Sequence, residues 1–239
     1  MAKINNEREI RLSKSCIGPE EKASVLQVLD REFLGMGAEV QKFEFELGTF
    51  FSRPVVCVNT GTAAIHLALQ ALGIGPGDEV LVQSLTYVAT FQAIAATGAR
   101  PVACDIDQKT FCIDMTDAST KISERTKAII PVHYAGGVGD IEKVYNFAHK
   151  NNIRVVEDAA HAFGSSYNKK KIGSFGDIVC FSFDGIKNVT SGEGGCVVTE
   201  DQDVLNKIRD ARLLGIENDT EKRFKGQRSW EFDVTHQGW

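Results

Sequence analysis

The sequence predicts an α/β protein with a mainly parallel seven-stranded sheet and helices on both faces. Two observations carry that prediction. Short β-rich apolar runs alternate with longer amphipathic segments along the whole chain, and no internal repeat or low-complexity tract points to another architecture. Two helical segments open the pattern: "PEEKASVLQVLDREFL" (19–34), with Pro19 suited to a first helical turn, and "AEVQKFEFELGTFF" (38–51). Strand "PVVCV" (54–58), helix "GTAAIHLALQALG" (61–73), strand "DEVLVQS" (78–84) and helix "TYVATFQAIAATG" (86–98) follow. Next come strands "RPVACDI" (100–106) and "KAIIPVH" (127–133), helix "DIEKVYNFAHKNN" (140–152) and strand "IRVVED" (153–158). Strands "DIVCFSF" (177–183) and "GGCVVTE" (194–200) and helix "DQDVLNKIRDARLLG" (201–215) complete the series.

The 239 residues suit one large domain, or one domain with part of another. Hydrophobic residues make up 43% and charged residues 25%, an ordinary globular composition. A formal net charge of −5 argues against a general nucleic-acid binder, which needs a basic face. The charged opening "MAKINNEREIRLSKS" has no apolar signal core, and no run approaches the roughly 18 apolar residues of a membrane span. The expectation is a cytoplasmic protein without nucleic-acid or membrane partners. None of the six cysteines forms a CxxC pair, and Cys57, Cys104, Cys180 and Cys196 sit in apolar strand-like runs. They read as reduced structural thiols, and no metal site is expected.

In a parallel sheet ligands gather beyond the carboxyl ends of the strands. Thr60, Gly61 and Thr62 stand there after the first strand, and Thr86 and Tyr87 after the second. His133, then Asp158 and His161, then Ser182 and Lys187 follow later strands. A turn opening a helix leaves N–H groups that suit a phosphate, although the same pattern is an ordinary helix cap. Hydroxyls of Thr62 and Ser182 add hydrogen bonds to such an anion. Asp158 ends an apolar strand, where an unpaired carboxylate is costly, so a cationic partner is implied. The pyridinium nitrogen of pyridoxal 5′-phosphate (PLP) is such a partner, and pairing with it makes the ring an electron sink. Lys187 lies in "FSFDGIKNVTSGEGG" (181–195), among glycines that permit close approach, and a lysine amine forms a Schiff base with an aldehyde cofactor. Tyr87 is placed to stack on the ring and His161 to bond its hydroxyl; a core-edge aromatic and a satisfied polar side chain are the plainer readings of those two.

Three stretches together resemble the DegT/DnrJ/EryC1/StrS sugar aminotransferases: residues 59–107, "VVEDAAHAFGS" (155–165) and the Lys187 block. The resemblance runs from about residue 10 to the end. It implies a fold-type-I PLP-transferase large domain, related to aspartate aminotransferase. By the same resemblance Lys187 is the Schiff-base lysine, Asp158 pairs with the pyridine nitrogen, and His161 contacts the ring oxygen. Tyr87 holds the stacking position, and Gly61, Thr62 and Ser182 contact the phosphate. Some relatives that remove hydroxyls carry histidine in place of the lysine, so by the resemblance Lys187 favours transamination over PLP-dependent sugar dehydration. The implied reaction moves an amino group from L-glutamate to a keto-deoxy sugar of a nucleoside-diphosphate sugar, for polysaccharide (O-antigen-like) or glycoside biosynthesis, in a homodimer. A truncated, inactive PLP-binding or regulatory homologue is the alternative from another class.

The expected division is a helical segment at 1–35, a PLP-binding large domain at 36–215, and the start of a C-terminal region at 216–239. Family members carry a C-terminal small domain, so that domain is expected to be missing and the chain to be a fragment or a truncation. A glycine–aromatic pair, Gly238 and Trp239, matches the point where relatives lead into a cofactor-contacting segment. The basic run "KRFKGQR" (222–228) reads as a solvated loop or as a contact for a diphosphate.

Overall fold

The computed structural model describes residues 13–217, 222, 225 and 233–238. Residues 1–12, Trp239 and all of the basic run except 222 and 225 lie outside the described residues. The strands are β1 (Val55–Val58), β2 (Glu79–Gln83), β3 (Arg100–Cys104), β4 (Thr126–Ile130), β5 (Arg154–Asp158), β6 (Ser166–Tyr167), β7 (Lys170–Lys171), β8 (Ile178–Ser182) and β9 (Gly195–Thr199). Seven of them form one sheet in the order β1-β9-β8-β5-β4-β2-β3, and β6 and β7 form a separate antiparallel ribbon. β9 runs antiparallel to both its neighbours; the pairs β8/β5, β5/β4, β4/β2 and β2/β3 are parallel. The seven expected strands are all present, each shorter than expected; β4 also begins one residue early, at Thr126.

The helices are α1 (Pro19–Asp30), α2 (Ala38–Phe51), α3 (Gly61–Ala71), α4 (Val88–Ala96), α5 (Met115–Lys121), α6 (Ile141–Asn151) and α7 (Gln202–Ala211). Successive strand residues point to opposite faces, and the core divides accordingly. Val80, Val82, Ile130, Val156 and Val197 pack with α3, α4 and α7. Leu81, Ile129 and Val155 pack with α5 and α6 on the other face. Beside them Val179, Phe181 and Val198 meet α2, with Phe51 stacked on Phe181 at 4.9 Å between ring centroids.

α3 is apolar on most of its circumference and buries eight residues, as expected of a helix enclosed in the core. α6 and α7 are amphipathic and start at aspartate caps, Asp140 on the Lys143 N–H and Asp201 on the Val204 N–H. α1 begins as Pro19 suggests, with the Gly18 N–H donating to Glu21 at 2.6 Å. It stops at Asp30, four residues before the expected end, because Glu32 takes a left-handed conformation (φ 53°) that ends the helical ladder. α5 was not expected; its seven residues are nucleated by Asp114, whose side chain accepts from the Thr116 N–H. All six cysteines are free thiols, four of them buried; Cys57 is half-buried and Cys16 exposed.

Candidate active site

Because β9 is antiparallel, it begins where β8 ends. Gly195 pairs with Ser182 on one side and with Val58 on the other, so the β8–β9 connection never leaves the carboxyl edge of the sheet. That connection carries Lys187. Its loop is tied down by Lys187 N–H to the Asp184 carbonyl (3.0 Å), Ser191 N–H to the Phe183 carbonyl (2.9 Å) and Asn188 Nδ2 to the Phe163 carbonyl (2.7 Å). The Ser15 hydroxyl donates to the Gly185 carbonyl and adds the N-terminal stretch to this frame.

A cavity of about 490 Å³ opens at this edge. Its lining includes Gly61, Thr62, Tyr87, Asp158, His161, Ser182 and Lys187, so all seven candidate residues meet in one place. His133 does not line it. The His133 ring instead meets Glu157 at 2.6 Å in the buried interior, and the Tyr145 hydroxyl donates to the same carboxylate.

The Thr60–Thr62 turn serves as a cap and still offers donors. Thr60 Oγ1 accepts from the Ala63 N–H at 3.0 Å, while the N–H groups of Gly61 and Thr62 have no carbonyl within the helix to meet. Two glycines permit this approach. A Cβ on Gly61 would fall 2.7 Å from the Ser182 Cβ, and one on Gly195 would fall 2.5 Å from the Thr60 oxygen. Around Lys187 the glycines divide: Gly192 needs its positive φ of 86°, whereas Gly185 has neither a left-handed backbone nor a close contact.

Asp158 is 6% exposed. Oδ2 accepts from Thr90 Oγ1 at 2.7 Å and Oδ1 from the Ala160 N–H at 3.2 Å. Burial lowers the proton affinity of the His161 imidazole, the Lys187 ammonium lowers it further, and Asp158 acts in the opposite sense. His161 Nδ1 faces the Ala135 N–H at 3.4 Å, which leaves the proton of the neutral ring on Nε2. Tyr87 is 72% exposed at the cavity mouth. Thr90, Tyr134, Asp184 and Glu193 complete the polar wall, and sequence reasoning missed all four. Thr90 is the one hydroxyl in the stretch "VATFQAIAA", which by itself does not tell it from an ordinary helix threonine.

These residues suit PLP. Among the described residues no cationic side chain pairs with the buried Asp158 carboxylate, and a protonated ring nitrogen completes it. In the same cavity the glycine-made approach leaves first-turn N–H groups and the Ser182 hydroxyl for a phosphate.

Fold and site together define the fold-type-I PLP class: a mostly parallel sheet with a lysine loop over its carboxyl edge and an aspartate at a strand end. The chain belongs to the DegT/DnrJ/EryC1/StrS aminotransferase family, which it matches over residues 15–234 and whose members depend on PLP. It is 41% identical over 224 residues to the spore coat polysaccharide biosynthesis protein SpsC of Bacillus subtilis, covering 93% of this chain and 58% of that protein. The sugar aminotransferase CalS13 of Micromonospora echinospora superposes with a TM-score of 0.87 at 34% identity, over 97% of this chain and 63% of that one. The PLP form of Streptococcus pneumoniae Spr1654 gives 0.88 at 31% identity, over 97% and 62%. The chain thus spans about three fifths of the length of these relatives. No described helix is long and apolar enough to cross a membrane.

Proposed function

We propose that this chain carries the PLP site of an aminotransferase that moves an amino group from L-glutamate to the keto-deoxy sugar of a nucleoside-diphosphate sugar. One observation carries the reading: Lys187 and Asp158 line the same cavity as a helix-opening turn and Ser182. The names of the relatives, a polysaccharide biosynthesis protein and sugar aminotransferases, support the substrate class. When bound, PLP supplies an aldehyde for amines and a ring that accepts an electron pair. Lys187 would supply the amine at the aldehyde end and, when free, the acid/base group that moves a proton between the donor Cα and the cofactor's aldehyde carbon. Asp158 would hold the proton on the ring nitrogen, His161 would donate from Nε2 to the ring oxygen and Tyr87 would pack on the ring. Gly61, Thr62 and Ser182 would hold the phosphate. Residues 36–215 include all of these groups and act as the cofactor-binding unit. The chain works as a homodimer, for which the exposed apolar side chains Tyr87, Val88 and Ile186 near the cavity mouth speak.

Titration with PLP, followed by visible and near-ultraviolet absorbance, tests the cofactor reading. L-glutamate is then expected to bleach the band and release 2-oxoglutarate, and a panel of keto-sugar nucleotides to restore it. Absence of any band at saturating PLP overturns the reading; a band indifferent to glutamate removes the donor assignment. Lys187→Ala is expected to lose the borohydride-reducible link to PLP and to slow turnover by roughly 10²–10⁴-fold. A surviving reducible adduct, sought by mass spectrometry, contradicts the role of Lys187.

A further inference from the structure

Beside the Asp158 carboxylate, in the cavity wall, stands a short chain of hydroxyls. Thr90, fully buried on α4, places Oγ1 2.7 Å from Asp158 Oδ2 and 2.7 Å from Thr86 Oγ1. The Tyr87 carbonyl is a third neighbour at 3.2 Å. A hydroxyl has one proton to give and two lone pairs to receive with, and an ionised carboxylate only accepts. The shorter contact to the charged acceptor takes the Thr90 proton, leaving the longer Tyr87 contact as the weaker option. Thr90 then receives the proton of Thr86, and the order of donation runs Thr86 to Thr90 to Asp158. The other carboxylate oxygen is held by the Ala160 N–H at 3.2 Å, so each oxygen has one fixed donor and the group cannot turn freely.

We propose that Thr90, with Thr86 behind it, is a positioning residue that holds the Asp158 carboxylate turned to the ring nitrogen of the cofactor. The inference rests on the PLP reading above. Losing the hydroxyl releases the carboxylate to rotate away from the ring nitrogen, and the proton held there by the ion pair leaves the ring. The ionisable groups that interact with this carboxylate, His161 and Cys180, are unchanged in the variants.

The test uses the full chain loaded with PLP labelled with ¹⁵N in the ring, whose nitrogen resonance reports protonation directly. Wild type and Thr90→Ser are expected to give a protonated nitrogen. Thr90→Val is expected to move the resonance toward the unprotonated position and to weaken PLP binding by roughly tenfold, the effect of one lost hydrogen bond to a charged group. An unchanged resonance in PLP-loaded Thr90→Val overturns the proposal, because a merely structural threonine leaves the ring proton alone. Should Thr90→Val fail to fold, Thr86→Val decides: a partial movement supports the chain, and a wild-type resonance overturns it. Wild type that shows no bound resonance overturns the PLP reading itself, a failure distinct from any difference among the variants.

Discussion

At the scale of the residue, the site depends as much on missing side chains as on present ones. Gly195 belongs to a buried strand, yet a single methyl there would meet the backbone of Thr60 and Gly61 at 2.5–2.8 Å. That contact is backbone against backbone, so neither side relaxes by a rotamer change. Gly195→Ala is expected to destabilise the chain by about 1–3 kcal/mol and to weaken PLP binding, since the Thr60–Thr62 turn must shift from Ser182. Chemical denaturation paired with PLP titration checks both effects, and unchanged affinity contradicts the link between this glycine and the turn. Lys187, Asp158 and the Thr60–Thr62 turn were legible because each follows a recognisable strand, and strand ends gather on one edge. Thr90 was not legible. Its role depends on α4 lying beside the end of β5, and a lone threonine in an apolar helix carries no mark of its neighbour.

At the scale of the element, the β8–β9 hairpin does the placing. Seven strands and the longer helices could be read from period and length, because burial on both faces leaves continuous apolar runs and capped amphipathic ones. The direction of β9 could not be read. "GGCVVTE" is equally apolar whichever way it runs, and only pairing with β1 and β8 orients it. α5 escaped for a different reason: seven residues are too few for a periodic signal, leaving only its aspartate cap. Phe181 on β8 is fully buried, stacked on Phe51 and edge-on to Phe163 at 5.7 Å. Phe181→Ala is expected to cost about 3–5 kcal/mol through lost burial and the cavity left behind, read as a lower urea midpoint. A shift under about 1 kcal/mol contradicts the view that this aromatic group anchors the strand carrying Ser182.

At the scale of the whole molecule, the end of the sheet opposite the cavity is closed by charge. Glu79, at the start of β2, accepts from the Ser123 hydroxyl at 2.7 Å and pairs with Arg100 and Arg125. The Ser123 hydrogen bond first, and then the two guanidinium groups, hold its carboxyl down to about 2. A carboxylate held below its ordinary value near 4.5 adds stability above that pH and loses it as the pH falls toward about 2. Glu79→Gln is therefore expected to be less stable than wild type near neutral pH, with the gap closing in acid. Urea midpoints at about pH 7 and about pH 3 measure it, and a constant gap contradicts the assignment. The order of runs and turns in the sequence by itself determined the α/β class and the kinds of group at the strand ends, because burial and capping act locally on each segment. Only the tertiary structure decided which of those groups share a cavity. Strand direction, the approach of Gly61 to Ser182 and the partner of each buried polar group arise between segments far apart in the chain, where local pattern has no reach.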